Sequence, residues 1–250
     1  MKKLFSLITL MVFLVSCGGT KSYKIDGNIA IDGLKDGDTI SLGYTKDGAE
    51  YTPEAYAVIK DGKFNFAGNT ENCKFYFLVN HLTEEPLAIV FLEGGNISAD
   101  INNEKSVISG TTSNDLFTQF QEEFSAKVMQ LQEKQMLLYL DTTLTEEQRE
   151  GIVKELETLS EEASNTAKEF INNNIETMPA LFMLVQFANM FENEELNALI
   201  EKIPEENKDS ENNCFFSTLL QIQEQRNNPQ DFSDYFNALE ENADSTAAAE

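Results

Sequence analysis

The stretch Ala55–Gly68, AYAVIKDGKFNFAG, decides the fold of this chain. Two runs in which apolar residues alternate with others flank Asp61-Gly62, a pair suited to a two-residue turn with positive φ. The pattern predicts a β-hairpin. Upstream, the same period of two returns in Tyr23, Ile25 and Ile29, and again in Ile40, Leu42 and Tyr44. Between those runs Asp36-Gly37-Asp38 superficially resembles a calcium loop. The other ligand positions and the closing glutamate are missing, so a turn is expected. Downstream, Phe75–Asn80, Leu87–Glu93, Ile97–Ile101 and Val107–Gly110 continue the series, with Gly94-Gly95-Asn96 as a tight turn. About eight short strands with this punctuation predict an N-terminal antiparallel β sandwich or barrel-like domain over residues 23–112.

The period then lengthens. Phe117, Phe120, Phe124, Val128, Leu131 and Leu138 fall near one face of a helix, with Asp115 as the expected N-cap. Asp141–Leu144 interrupts it, and Thr145 with Glu146, Glu147 and Gln148 restarts it as a capping box. Ile152, Leu156, Leu159, Ala163, Ala167 and Phe170 carry a second stripe. At 1.5 Å per residue these are rods of roughly 40 Å, most simply an antiparallel hairpin. Pro179 opens a third, largely apolar helix, and shorter ones are expected near 193–202 and 210–226. The fold class is therefore α+β: a β domain, then an α-helical region (113–226) with a long hairpin. A helical subdomain with a core of its own is expected, separable by proteolysis near Thr111–Asp115. Residues 227–250 form an acidic tail, expected to be disordered from Asp244.

At the other end, MKKLFSLITLMVFLVSCG (Met1–Gly18) places Lys2 and Lys3 before an apolar run from Leu4 to Val15. The run is too short to span as a mature membrane helix and ends in Leu14-Val15-Ser16-Cys17-Gly18. That order resembles a bacterial lipobox, in which the thiol of a cysteine is the acyl acceptor and cleavage precedes it. Residues 1–16 are thus expected to be a lipoprotein signal peptide, Cys17 the lipidated residue carrying palmitate or a similar acyl group, and 17–22 a tether. Gly18 after the cysteine favours the outer membrane, and the absence of acidic residues at 18–21 favours a periplasm-facing protein.

The chain has 18 Lys+Arg against 43 Asp+Glu, a net charge of −25. The imbalance is greatest downstream: residues 18–112 carry −6 and residues 113–250 carry −21. A surface this acidic repels phosphate, so nucleic acid is excluded as a partner, and contact with a membrane is left to the lipid. Apart from Cys17 only Cys73 and Cys214 are present, with no CxxC. An exported compartment permits a Cys73–Cys214 disulfide, but sequence alone does not bring the two within bonding distance.

YKIDGNI, DGDTISL, AVIKDGKFNFAG, FLEGGNISAD and VISGTTSND, in that order, resemble the domain of unknown function 4369. That domain is characteristic of lipoproteins of one Gram-negative phylum and usually precedes a helical spacer and a thioredoxin-like thiol–disulfide oxidoreductase domain. The resemblance covers residues 23–120 well and the helices to about 225 more loosely. The catalytic unit needs a CxxC and roughly 100 residues, whereas 24 follow Arg226. Asn228-Pro229-Gln230-Asp231-Phe232 is similar to the start of such a unit, but nothing continues it. No catalytic residue is carried over, and no enzyme activity is expected.

The remaining candidates are bland. His81, the sole histidine, lies in a polar loop and has no evident partners for a triad or metal site. Glu146, Glu147, Glu150, Glu155, Glu157, Glu161 and Glu162 are spread around a solvated rod. The 18 Phe fall mostly on apolar stripes and belong to a core. Asp38-Thr39-Ile40, Asp141-Thr142-Thr143 and Asp244-Ser245-Thr246 resemble the short O-glycosylation sequon of the same phylum. No cofactor motif and no metal-ligand spacing is present. The expected function is a lipid-anchored, non-catalytic binding or assembly module whose partner is another envelope protein. The alternative is an accessory partner of a periplasmic thiol–disulfide oxidoreductase.

Overall fold

The computed structural model describes residues 20–46, 50–71, 73–208 and 215–228. Cys17, Cys214, the expected signal peptide and the tail from residue 229 lie outside the described residues. Eight strands come first: β1 (Lys21–Ala30), β2 (Thr39–Lys46), β3 (Glu50–Val58), β4 (Lys63–Thr70), β5 (Lys74–Asn80), β6 (Pro86–Leu92), β7 (Gly95–Asn102) and β8 (Ser106–Ser109). They form two four-stranded sheets, β4-β1-β7-β8 and β3-β2-β5-β6. The α+β class and the sandwich follow the sequence expectation. One pairing departs from an all-antiparallel arrangement: β1 and β7 run parallel, with Tyr23 opposite Gly95 and Ala30 opposite Asn102. The chain reaches β7 by crossing over from β6 in the other sheet, so it enters beside β1 from the same end.

Residues 55–68 make the predicted turn but not the predicted hairpin. Asp61 (φ 52°) and Gly62 (φ 67°) occupy its corner, and Lys60 and Lys63 close it with bonds of 2.9 and 3.0 Å. The ladder stops there: β3 pairs with β2 and β4 pairs with β1, so the turn carries the chain between sheets. The cause is Ile59. Its side chain is buried, its N–H donates to the Asp38 carbonyl (2.8 Å) and its carbonyl accepts from the Gly37 N–H (2.9 Å). Its backbone groups are thus committed to the loop before β2, leaving none for β4.

Ile25, Ile40, Leu42, Phe64, Phe66, Leu78, Val90, Ile97 and Ile101 fill the space between the sheets. Gly27 faces inward here because the Phe64 ring lies over it; an added Cβ would sit 2.1 Å from that ring.

Five helices follow: α1 (Thr112–Leu140), α2 (Glu146–Asn174), α3 (Met178–Gln186), α4 (Asn193–Glu201) and α5 (Phe215–Asn227). The capping box at Thr145 forms as expected: its Oγ1 accepts from the Gln148 N–H, and Gln148 Oε1 accepts from the Thr145 N–H. Asp115 is not the N-cap of α1. It lies in the first turn, and its carboxylate reaches back to the Gly110 N–H at 2.8 Å. The core of the helices is distinct from that between the sheets but takes in two strand residues. Phe75 and Phe91, on the outer face of the β5/β6 sheet, join Phe117, Phe120, Ile171, Leu181, Leu184, Leu196 and Leu219 in one cluster. The Phe75 ring stacks on Phe182 (4.7 Å) and meets Phe215 edge-on (4.9 Å), while Phe91 meets Phe117 at 5.2 Å. The result is three layers, sheet on sheet on helices, with β5 and β6 in the middle buried on both faces.

Candidate binding surfaces

Among the described residues two surfaces stand out once the cores are filled. The first is the outer half of the α1–α2 hairpin. Beyond Phe124 on α1 and before Ala163 on α2, only Ile152 is buried among the described residues. The two helices hold each other through the predicted stripes, an ion pair from Lys134 to Glu155, and Arg149. The Arg149 guanidinium donates to the Leu138 (3.1 Å) and Asp141 (3.0 Å) carbonyls and so caps the C-terminal end of α1. From Phe124 to Leu140 the arm extends roughly 24 Å at 1.5 Å per residue. Met129, Met136, Tyr139, Leu140 and Val153 lie exposed on it, Tyr139 at 86%. Residues 125–162 carry nine carboxylates against four basic side chains.

Direction matters as much as composition. β1 and β7 are parallel, β8 is antiparallel to β7, and α1 starts three residues after β8 ends. The described chain therefore enters at Lys21 beside the point where α1 begins. α1 then runs back along β8, passing Thr118, whose hydroxyl donates to the Ile108 carbonyl (2.6 Å), and Glu122, which pairs with Lys105 (3.5 Å). The arm leaves the sandwich at the end opposite Lys21.

The second surface is the groove where α1 spans the open side of the sandwich, between the edge strands β6 and β8. Its volume is about 610 Å³, and Phe77, Leu87, Ile89, Val107, Glu122 and Met129 are among the residues lining it. Edge strands carry unpaired peptide groups, and here several are covered by side chains. The Asn114 carboxamide accepts from the Phe91 N–H (3.0 Å) and donates to the Phe91 carbonyl (2.8 Å), taking the place of a neighbouring strand. Ser106 Oγ donates to the Leu87 carbonyl at 2.7 Å. Phe91 turns its peptide groups away from β5, so by the strand period of two Ile89 does the same. Among the described residues nothing pairs with the Ile89 N–H or carbonyl.

The start of α1 is fixed by Glu93. One carboxylate oxygen accepts from the Ser113 N–H (2.6 Å) and the other from the Ser113 hydroxyl (2.7 Å), which sets an anion at the positive end of the helix. Cys73 lies in this junction with its thiol directed at Ser113 Oγ (3.7 Å). Burial pushes the thiol up to about 12, the hydrogen bond to Ser113 offsetting only part of the effect, which keeps it protonated at neutral pH. Cys214, its expected disulfide partner, lies outside the described residues, as does Cys17, the residue expected to carry the lipid.

The other sequence candidates sit apart from both surfaces. Asp36 is a turn residue: its carboxylate accepts from the Asp61 N–H (2.8 Å) and the Gly62 N–H (3.0 Å), while Asp38 accepts from the Lys35 N–H. His81 is exposed, with its ring edge-on to Tyr56 at 4.9 Å. Of the glycosylation-like triplets, Thr39 opens β2, Thr142 is exposed at the tip of the arm, and Asp244-Ser245-Thr246 lies outside the described residues. Among the described residues no group of three or more His, Cys, Asp or Glu is placed to hold a metal ion. No described helix is long and apolar enough to cross a membrane. Glu93 and Asn114, which fix α1 to the sandwich, carry no sequence signal, since their partners lie about 20 residues away.

No curated protein matches the chain. A family does match within it, ending at residue 117 in the second turn of α1, where Asn114 and Phe117 fasten the helix to β6. No thioredoxin-like domain is detected within the sequence. Residues 23–117 are a DUF4369 domain, a domain of unknown function, here joined to a helical hairpin that packs on its second sheet.

Proposed function

We propose that this protein is a lipid-anchored cell-envelope module, held through Cys17 at the periplasmic face of the outer membrane, that binds or assembles another envelope protein without catalysis. The observation that carries the reading is the placement of the arm. The tether joins the sandwich at Lys21, while Met136, Tyr139 and Leu140 are exposed at the far end of the hairpin. An anchor at one end and an apolar tip at the other suit a protein that holds a partner away from the membrane. Exposed clusters of large apolar side chains on an otherwise charged surface are typical of protein contact sites. The carboxylates along the arm favour a basic partner, whose association weakens as salt rises.

Crosslinking in intact envelopes, followed by mass spectrometry, tests the reading. A partner captured by the full chain and lost when residues 128–157 are replaced by a short turn supports it. Capture unaffected by that deletion refutes the role of the arm. Metabolic labelling with a palmitate analogue tests the anchor separately: Cys17→Ala abolishes labelling if the lipid is where we place it.

A further inference from the structure

We propose that the groove between β6, β8 and α1 binds a short extended peptide segment of another protein, through the peptide group of Ile89. The inference rests on the groove alone and stands whether or not the chain is lipidated.

Along the outer edge of β6 the carbonyl of Leu87 and the peptide groups of Ile89 and Phe91 face away from β5. The first and last meet Ser106 and Asn114. These two plugs are four residues apart, roughly 13 Å along a strand. Between them the Ile89 N–H and carbonyl open towards a groove with an apolar floor of Phe77, Leu87, Ile89 and Val107. At Phe91 the chain already shows which chemistry this edge takes: one donor and one acceptor in a plane, supplied by the Asn114 carboxamide. Two residues away Ile89 offers the same pair. A peptide backbone presents that donor and acceptor too, and its alternate side chains would reach the apolar floor, which is the mode of strand addition to a sheet edge. The plugs limit the contact to one or two residues of the partner and so prevent unlimited edge-to-edge growth. The net charge of −25 favours a basic segment.

The probe is acetyl-Lys-Val-Lys-Val-Lys-Val-Lys-amide, titrated into the full chain in detergent micelles with amide exchange read residue by residue. In the free chain the Ile89 amide should exchange at least tenfold faster than that of Val90, which pairs with β5. Peptide should slow Ile89 at least tenfold. N-methylation of every Val blocks one edge of the peptide, and N-methylation of the internal Lys residues blocks the other. One of these two forms should bind at least tenfold more weakly than the parent while the other keeps its affinity. Val107→Lys should weaken the parent peptide by a similar factor. The proposal falls if Ile89 is already as protected as Val90 without peptide, if both methylated forms bind like the parent, or if no binding occurs at millimolar peptide.

Discussion

Asp36 accepts two backbone N–H bonds, from Gly62 and Asp61, and they hold its carboxyl below the usual carboxylate range because both favour the ionised form. The folded chain therefore binds this proton more weakly than the unfolded chain does. The stabilisation is complete above the ordinary value of 3.8 and is lost as pH falls through the lower folded value. Asp36→Ala should lower the midpoint of thermal unfolding at pH 7. The deficit against the parent should be the same at pH 7 and pH 5 and shrink steadily as pH falls below 3.8, and a deficit that does not change with pH would show that the carboxylate is not the clamp. At this scale the sequence indicated a turn at Asp36-Gly37-Asp38, and both of its aspartates accept from backbone donors. It did not indicate that one of those clamps belongs to the turn 25 residues later, since nothing local encodes which N–H a carboxylate will meet.

At the scale of elements, the strands of the sandwich and the two long helices were legible because period two and period 3.6 are written into the side chains. The third layer was legible only in part. Phe75–Val79 and Leu87–Leu92 are unbroken apolar runs, not alternating ones, and such runs mark strands covered on both faces. They imply cover on a second face, but which residues meet it is decided only by the helices that pack there. The hairpin expected at residues 55–68 failed for a different reason: a turn motif fixes the corner, whereas the partner of each strand is fixed by the two sheets. Phe75→Ala removes a ring in contact with Phe77, Phe91, Phe182 and Phe215 and should cost about 3–5 kcal/mol. Because that ring joins strands to helices, far- and near-ultraviolet dichroism should still report one coincident transition at a lower temperature. Tyr139→Ser with Leu140→Ser makes the contrast. Both side chains are exposed at the tip of the arm, so the unfolding free energy should stay within about 0.5 kcal/mol of the parent while partner capture declines.

Over the whole molecule, the junction of sandwich and helices decides how the chain divides. A fragment ending at Thr111 would keep the inner core but expose Phe75 and Phe91 and uncover the β6 edge that Asn114 closes. It should aggregate or bind a hydrophobic dye when the full chain does not, and a stable monomeric fragment would show that the sandwich needs no helical cover. The candidate surfaces were less legible than the fold. The arm's exposed methionines and Tyr139 look in sequence like any other helix positions, and the edge groove exists only once three elements meet.

The parallel pairing of β1 with β7 also has a mechanical consequence. β1 is the first described strand, and it lies inside its sheet with β4 on one side and β7 on the other. A pull on Lys21 against the tip of the arm runs along β1 and loads both ladders in shear, all rungs together, instead of unzipping them one at a time. Resistance to such a pull is set by an unfolding rate, not by equilibrium stability. Single-molecule stretching between residue 20 and residue 140 should therefore need a markedly larger force than stretching between residue 20 and residue 70, which peels β4 from β1 rung by rung. A protein built this way would resist a load applied between its first strand and the tip of its arm.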